Sequence, residues 1–160
     1  MTRENEKAEN SMIKYRKANL NDIQYLVQYR KQQLADEGEA LNIDINSELS
    51  NYFISSLSDG SLISWLALDG EKIVATSGLC FYQLPPNYFN LTGRVAYVTN
   101  MYTLPNYRKR GIASRLLQFI IDEAKIQEYK VIRLHASSEG RPVYSKAGFN
   151  DSNGHMALFL

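Results

Sequence analysis

The stretch from residue 96 to residue 124 constrains the fold most, because its hydrophobic period changes in the middle. Val95, Tyr97, Val98, Met101, Tyr102 and Thr103 are β-branched, aromatic or large apolar residues, which predicts a strand over 94–103. Ile112, Leu116, Leu117, Ile120, Ile121 and Ala124 then recur at three- and four-residue steps, which predicts an amphipathic helix over 112–127. Pro105 separates the two periods. Between them runs a basic turn that contains a glycine, Tyr107-Arg108-Lys109-Arg110-Gly111-Ile112-Ala113.

A strand, a basic glycine turn and a helix have a chemical use together. The first N–H groups of a helix lack intrahelical partners and carry the positive end of the macrodipole, so they attract anions. Gly111 removes a side chain where a ligand oxygen can approach the backbone, and Ala113 keeps the next position but one small. Arg108, Lys109, Arg110 and Arg115 surround the turn, and no acidic residue lies between Pro105 and Ile121. A phosphate or pyrophosphate suits this turn. So does the plainer reading, a solvated basic helix start.

The pattern Arg108-x-x-Gly111-x-Ala113, after a strand and before a long helix, resembles the acyl-CoA signature of the GNAT superfamily of N-acetyltransferases. The lead-in from Met101 to Arg108 is similar to that family's strand-to-helix passage. Further on, the run from Ala136 through Tyr144-Ser145-Lys146-Ala147-Gly148-Phe149 resembles its second motif, which ends in Tyr-x-x-x-Gly-Phe. The resemblance implies an α/β (α+β) single domain: a mixed, mostly antiparallel sheet flanked by helices, with one parallel βαβ crossover at the coenzyme site. It implies transfer of an acetyl group from acetyl-CoA to a primary amine, by direct attack on the thioester.

The same resemblance implies that acetyl-CoA is held by Met101, Tyr102, Thr103, Arg108, Lys109, Arg110, Gly111, Ile112, Ala113, Ser114 and Ser137. The strand end at 101–103 would offer backbone groups to the pantetheine amides and to the thioester carbonyl, a form of strand addition by a ligand. Tyr144 would be the acid that protonates the leaving thiolate, or else a packing residue. Many relatives carry a glutamate base on the central strand, and this chain has none between Gly93 and Thr103. A neutral amide such as that of Asn100 cannot replace it. Deprotonation would then fall to a water chain, to Glu139, or to a substrate that arrives neutral.

Elsewhere the chain reads as follows. Residues 1–11 are polar and read as a mobile tail, and residues 12–160 as one domain. A strand is predicted over 12–18. Asn19 or Asn21 caps a helix traced by Ile23, Leu26, Val27, Arg30 and Leu34 to about Asp36. The connection 37–46 is acidic through Glu37, Glu39 and Asp44, carboxylates that hold a cationic amine or belong to a solvated loop. A second helix over 47–57 would turn Leu49, Phe53, Ile54 and Leu57 inward. Strands over 62–68 and 72–82 flank a tight hairpin at Asp69-Gly70. The loop 83–93 carries Tyr88 and Phe89, which either fold over the acceptor or pack on the sheet or on a second subunit. A buried strand over 131–134, a short helix over 137–147 and a final apolar strand over 156–160 complete the order.

Composition narrows the partners. A net charge of +1 over 160 residues advertises neither nucleic acid nor an anionic membrane. The single cysteine, Cys80, excludes an internal disulfide and reads as a core thiol, and a reducing cytoplasm suits it. His135 and His155 stand alone, and no metal is predicted. No apolar run has the length of a membrane span or of a signal-peptide core. The expected partner is a small-molecule or peptide amine, with a homodimer allowed. A non-catalytic acyl-CoA-binding regulatory module is the alternative.

Overall fold

The computed structural model describes residues 12–40, 42–152 and 156–160. The expected tail at 1–11 and His155 lie outside them. Five strands form one sheet in the order β1-β2-β3-β4-β5: β1 Lys14–Lys17, β2 Leu62–Asp69, β3 Lys72–Gln83, β4 Arg94–Thr103 and β5 Ile132–Arg133. The first three pairings are antiparallel and the last, β4 with β5, is parallel. Helices α1 Ile23–Asp36 and α2 Asn46–Asp59 precede β2, α3 Ile112–Ile126 makes the crossover from β4 to β5, and α4 Arg141–Lys146 follows.

The two faces of the sheet carry separate cores. Leu26 and Tyr29 of α1 and Phe53 of α2 pack with Leu62, Leu66, Ile73 and Tyr102. On the other face, Leu116, Leu117 and Ile120 of α3, each at most 1% exposed, cover Val74, Leu79, Ala96 and Val98. Alternation along β4 produces this division. Ala96 and Val98 meet α3, whereas Tyr97 turns to the thiol of Cys80 and the ring of Tyr82. Among the described residues, no helix is long and apolar enough to cross a membrane.

Four local expectations need correction. The hairpin is closed by Gly70 and Glu71, since Asp69 pairs with Lys72; only Gly70 has positive φ (+59°), so the turn needs one left-handed residue rather than two. Ile54 is 46% exposed, and Ser56 takes the buried place on α2 by donating to the Tyr52 carbonyl. The strand expected over 131–134 pairs only at Ile132 and Arg133, because β5 leaves β4 there. Residues 156–160 form no strand: Met156, Leu158, Phe159 and Leu160 are all at least 84% exposed, so apolar composition finds no partner edge.

The entry to α1 is built from reciprocal hydrogen bonds. Asn19 Oδ1 accepts from the Asn21 N–H (2.9 Å), and Asp22 Oδ2 accepts from the Asn19 N–H (2.8 Å). Arg16 of β1 donates to both oxygens of Asp22 at 2.7 and 2.9 Å. The Arg16 hydrogen bonds hold the Asp22 carboxyl below the usual carboxylate range, against the opposing effect of burial. Near pH 3–4 the unfolded chain therefore binds more protons at this group than the folded one does. Stability from Asp22 is complete above the ordinary aspartate range and is lost as pH falls through it. Denaturant midpoints between pH 7 and pH 3 are expected to fall less steeply for Asp22→Asn than for wild type, with the variant less stable at pH 7.

Candidate active site

The turn before α3 is fastened at both ends. A single 3-10 turn, Pro105–Tyr107, follows β4, and the Tyr107 hydroxyl donates to Asp69 of the β2–β3 hairpin at 2.7 Å. Lys109 and Gly111 both adopt left-handed conformations, with φ of +61° and +77°. Ile112, 2% exposed, then plugs the start of α3 into the core. The first intrahelical bond runs from the Arg115 N–H to the Gly111 carbonyl at 3.0 Å. The N–H groups of Ile112, Ala113 and Ser114 therefore precede any intrahelical acceptor, and Gly111 brings no side chain to cap them. A Cβ at Gly111 would meet nothing within 4 Å. Open space faces a row of unspent donors, which fits an anion.

The basic residues of this turn do not act alike. Arg110 lies over the Tyr107 ring at 5.0 Å and Arg115 over the Phe119 ring at 4.7 Å. Arg108 is committed elsewhere. Its Nε–H donates to the Thr103 carbonyl (2.9 Å), its Nη2 group to Asp36 at the end of α1 (2.7 Å), and Glu139 lies 3.7 Å away. Counter-charges reach this arginine from α1 and from the segment after β5, although the sequence around the turn has none. Arg108 thus ties β4, α1 and the α4 lead-in together.

β4 and β5 part just before this turn. They pair at Ala96 with Ile132 and at Tyr97 with Arg133, and no further. Asn100 has φ of +53° where the β3–β4 register slips between Thr76 and Gly78, and its carbonyl accepts from Thr76 Oγ1 at 2.9 Å. Among the described residues its buried carboxamide has no hydrogen-bond partner. Met101 and Thr103 are half-buried, and Tyr102 packs against Tyr29 at 5.4 Å. Of the three residues expected to present free backbone, Thr103 already gives its carbonyl to Arg108.

Past β5, the Ser137 hydroxyl accepts from the Gly140 N–H at 3.1 Å, and a hydroxyl that accepts retains a proton to donate. Gly140 leaves room for the Tyr144 ring, which a Cβ there would approach to 2.9 Å. Tyr144 meets Phe149 edge-on at 6.1 Å. Its phenol is pushed up to about 12, chiefly by burial, then by the charge of Glu37 and by Tyr97. The fold thus brings Tyr144 of α4, Tyr97 of β4 and Glu37 at the end of α1 together.

The sequence pattern singles out neither Arg30 nor Tyr97, although Arg30 is a charged residue on the otherwise apolar stripe of α1. A hollow of about 550 Å3 between α1 and α2, lined by Gln24, Val27, Gln28, Lys31, Ala35, Asn46 and others, includes none of these residues.

Solved structures share this frame. A predicted acetyltransferase from Clostridium acetobutylicum, solved with acetyl-CoA, is 46% identical, with TM-score 0.89 over 92% of this chain and 96% of that one. A GCN5-related N-acetyltransferase from Ralstonia eutropha JMP134 is 21% identical, with TM-score 0.87 over 92% and 99%. An aminoglycoside acetyltransferase from an uncultured soil metagenomic sample, at 15% identity, has TM-score 0.73 over 94% and 98% and shares the fold. No curated protein matches the sequence. The first of these likenesses, at 46% identity, marks an acyltransferase. Residues 26–149 match the acetyltransferase (GNAT) family, and the chain belongs to it.

Proposed function

We propose that the chain transfers the acetyl group of acetyl-CoA to a primary amine by direct attack, in a cleft at the carboxyl ends of β4 and β5. The observation that carries this reading is the parting of β4 from β5 beside an uncapped, glycine-led helix start. The amides of Gly111, Ile112, Ala113 and Ser114 hold the pyrophosphate, and Lys109 and Arg110 add positive charge. Met101 and Tyr102 offer backbone groups to the pantetheine amides, and Ser137 donates its hydroxyl proton to the coenzyme. Arg108, held by Thr103 and Asp36, fixes the floor of the cleft as well as lending charge.

In the reaction a C–N bond forms, the C–S bond breaks with its electron pair leaving on sulfur, the amine gives up one proton to solvent water, and water returns one to the thiolate, so that amide and free thiol result. Catalysis is mostly positioning. Tyr144 donates a hydrogen bond to that sulfur. The domain spans residues 12–160 and works in the cytoplasm, alone or as a homodimer, without nucleic acid.

One observation favours the second reading, a non-catalytic acyl-CoA-binding module: β4 carries no glutamate, and its bulge is occupied by the neutral Asn100. Coenzyme thiol release during incubation of the chain with acetyl-CoA and a panel of amines separates the two. Acetylated amine, identified by mass, is the expected result. Tight binding of acetyl-CoA with no acetylation of any amine would support the binding module.

A further inference from the structure

Arg30 sits half-buried on the inward side of α1. Among the described residues Arg30, like Arg94, Arg110, Arg115 and Arg133, has no carboxylate within 4.0 Å, and unlike the first three of those it lies over no aromatic ring. It donates instead to the neutral oxygen of Gln33, at 3.1 Å. Gln33 in turn donates to Glu37, also at 3.1 Å, so the three side chains form a polar ladder down one face of the helix.

Neutral groups face Arg30 from the neighbouring elements. The guanidinium charge acts on the phenols of Tyr52, from α2, and Tyr97, from β4, and burial pushes both phenols up, so both stay uncharged. Cys80 lies beside Tyr97: its thiol donates to the Tyr97 carbonyl at 3.6 Å. Burial pushes this thiol up as well, so it supplies no anion. Tyr82, its ring 6.4 Å from that of Tyr97, closes the wall. A cation that has lost part of its hydration without gaining a counter-charge is costly, and an anionic ligand offsets that cost.

We propose that Arg30 anchors an anionic group of the acceptor, a carboxylate or a phosphate, while the amine of the same molecule lies at the Glu37–Tyr144 end of the cleft. The proposal rests on the acetyl-transfer reading and narrows it to amines that carry a negative charge. Hydrogen bonds of 3.1 Å on either side of the Gln33 carboxamide hold the Arg30 and Glu37 head groups within about 8.5 Å of each other. An acceptor that reaches from Arg30 past Glu37 to Tyr144 needs its two charges several bonds apart, which an α-amino acid does not provide. A guanidinium fork suits either anion, and the hydroxyls of Tyr52 and Tyr97 can donate to the same group.

The test compares amines of one length. Initial rates of coenzyme thiol release are measured for 6-aminohexanoate, 6-aminohexyl phosphate and the neutral 6-aminohexanol, with glycine as the short zwitterion. At least one six-carbon anion is expected to exceed the alcohol in kcat/KM by about tenfold or more, as a charge-assisted contact supplies. The better of the two identifies the anion, and glycine is expected to gain nothing. In Arg30→Met the ratio of anion to alcohol is expected to fall to about one, through KM more than kcat, and Arg30→Lys is expected to restore part of it. Equal rates for all three in wild type, or a preference that survives Arg30→Met, would overturn the proposal. So would turnover of none of the four by a chain that acetylates another amine of the wider panel. Failure to bind acetyl-CoA at all would overturn the acetyl-transfer reading itself.

Discussion

Tyr144→Phe is expected to lower kcat about 10- to 100-fold, with a smaller effect on the KM for acetyl-CoA. The size follows from the phenol's environment. Burial pushes Tyr144 up to about 12, with the charge of Glu37 adding to it, whereas an ordinary thiol titrates near ~8.5. Complete proton transfer from this phenol to a thiolate is thus uphill by roughly 3.5 units, or about 5 kcal/mol. Tyr144 stabilises the departing sulfur by donating a hydrogen bond and keeps its own proton. Hydrogen bonds to charged groups contribute about 1.5–3 kcal/mol, which sets the expected loss. The raised value also fixes a pH dependence. The neutral donor persists through pH 10, so Tyr144 imposes no alkaline fall in kcat below that pH. Steady-state kinetics of Tyr144→Phe from pH 6 to pH 10 check both points; an unchanged kcat would reduce Tyr144 to a packing partner of Phe149.

Gly111→Glu is expected to weaken acetyl-CoA binding by about a hundredfold or more. Nothing lies within 4 Å of a Cβ at this position, so the change need not disturb the core. It does place a side chain in a left-handed conformation (φ +77°), at a strain of roughly 1–2 kcal/mol. The larger effect is electrostatic. A carboxylate about 4 Å from a phosphate oxygen costs on the order of 4 kcal/mol near a protein surface. Gly111→Asn separates the two effects, since asparagine tolerates the left-handed region and carries no charge. It is expected to keep measurable binding, with circular dichroism confirming that both variants are folded.

The sheet and helices were legible because their residues carry a clear period. Residues 94–103 and the helix beginning at Ile112 stand where propensity and spacing place them, and α1 ends at Asp36 as expected. The failures have physical causes. The last five residues are apolar enough for a strand, yet strand formation needs an edge to pair with, which composition does not reveal. β5 pairs with β4 only at Ile132 and Arg133, which depends on where the two strands part and not on the apolar run itself.

For the candidate site, local features were readable: a glycine, a run of basic residues, a Tyr before Gly148-Phe149. Contacts between distant segments were not. Asp36 and Glu139 balance Arg108 across long stretches of chain, and Glu37 and Tyr97 set the environment of Tyr144. Arg30 shows what can still be recovered. A charged residue on the apolar stripe of a helix has to meet something polar, and here that is the Gln33 carboxamide.

The most direct measurement is calorimetric titration of acetyl-CoA into the wild-type chain and into Gly111→Glu, side by side. Saturable binding by wild type, lost in a variant that remains folded, is the expected result and assigns the coenzyme to the turn before α3. Absence of binding by wild type, or undiminished binding by Gly111→Glu, would contradict that assignment.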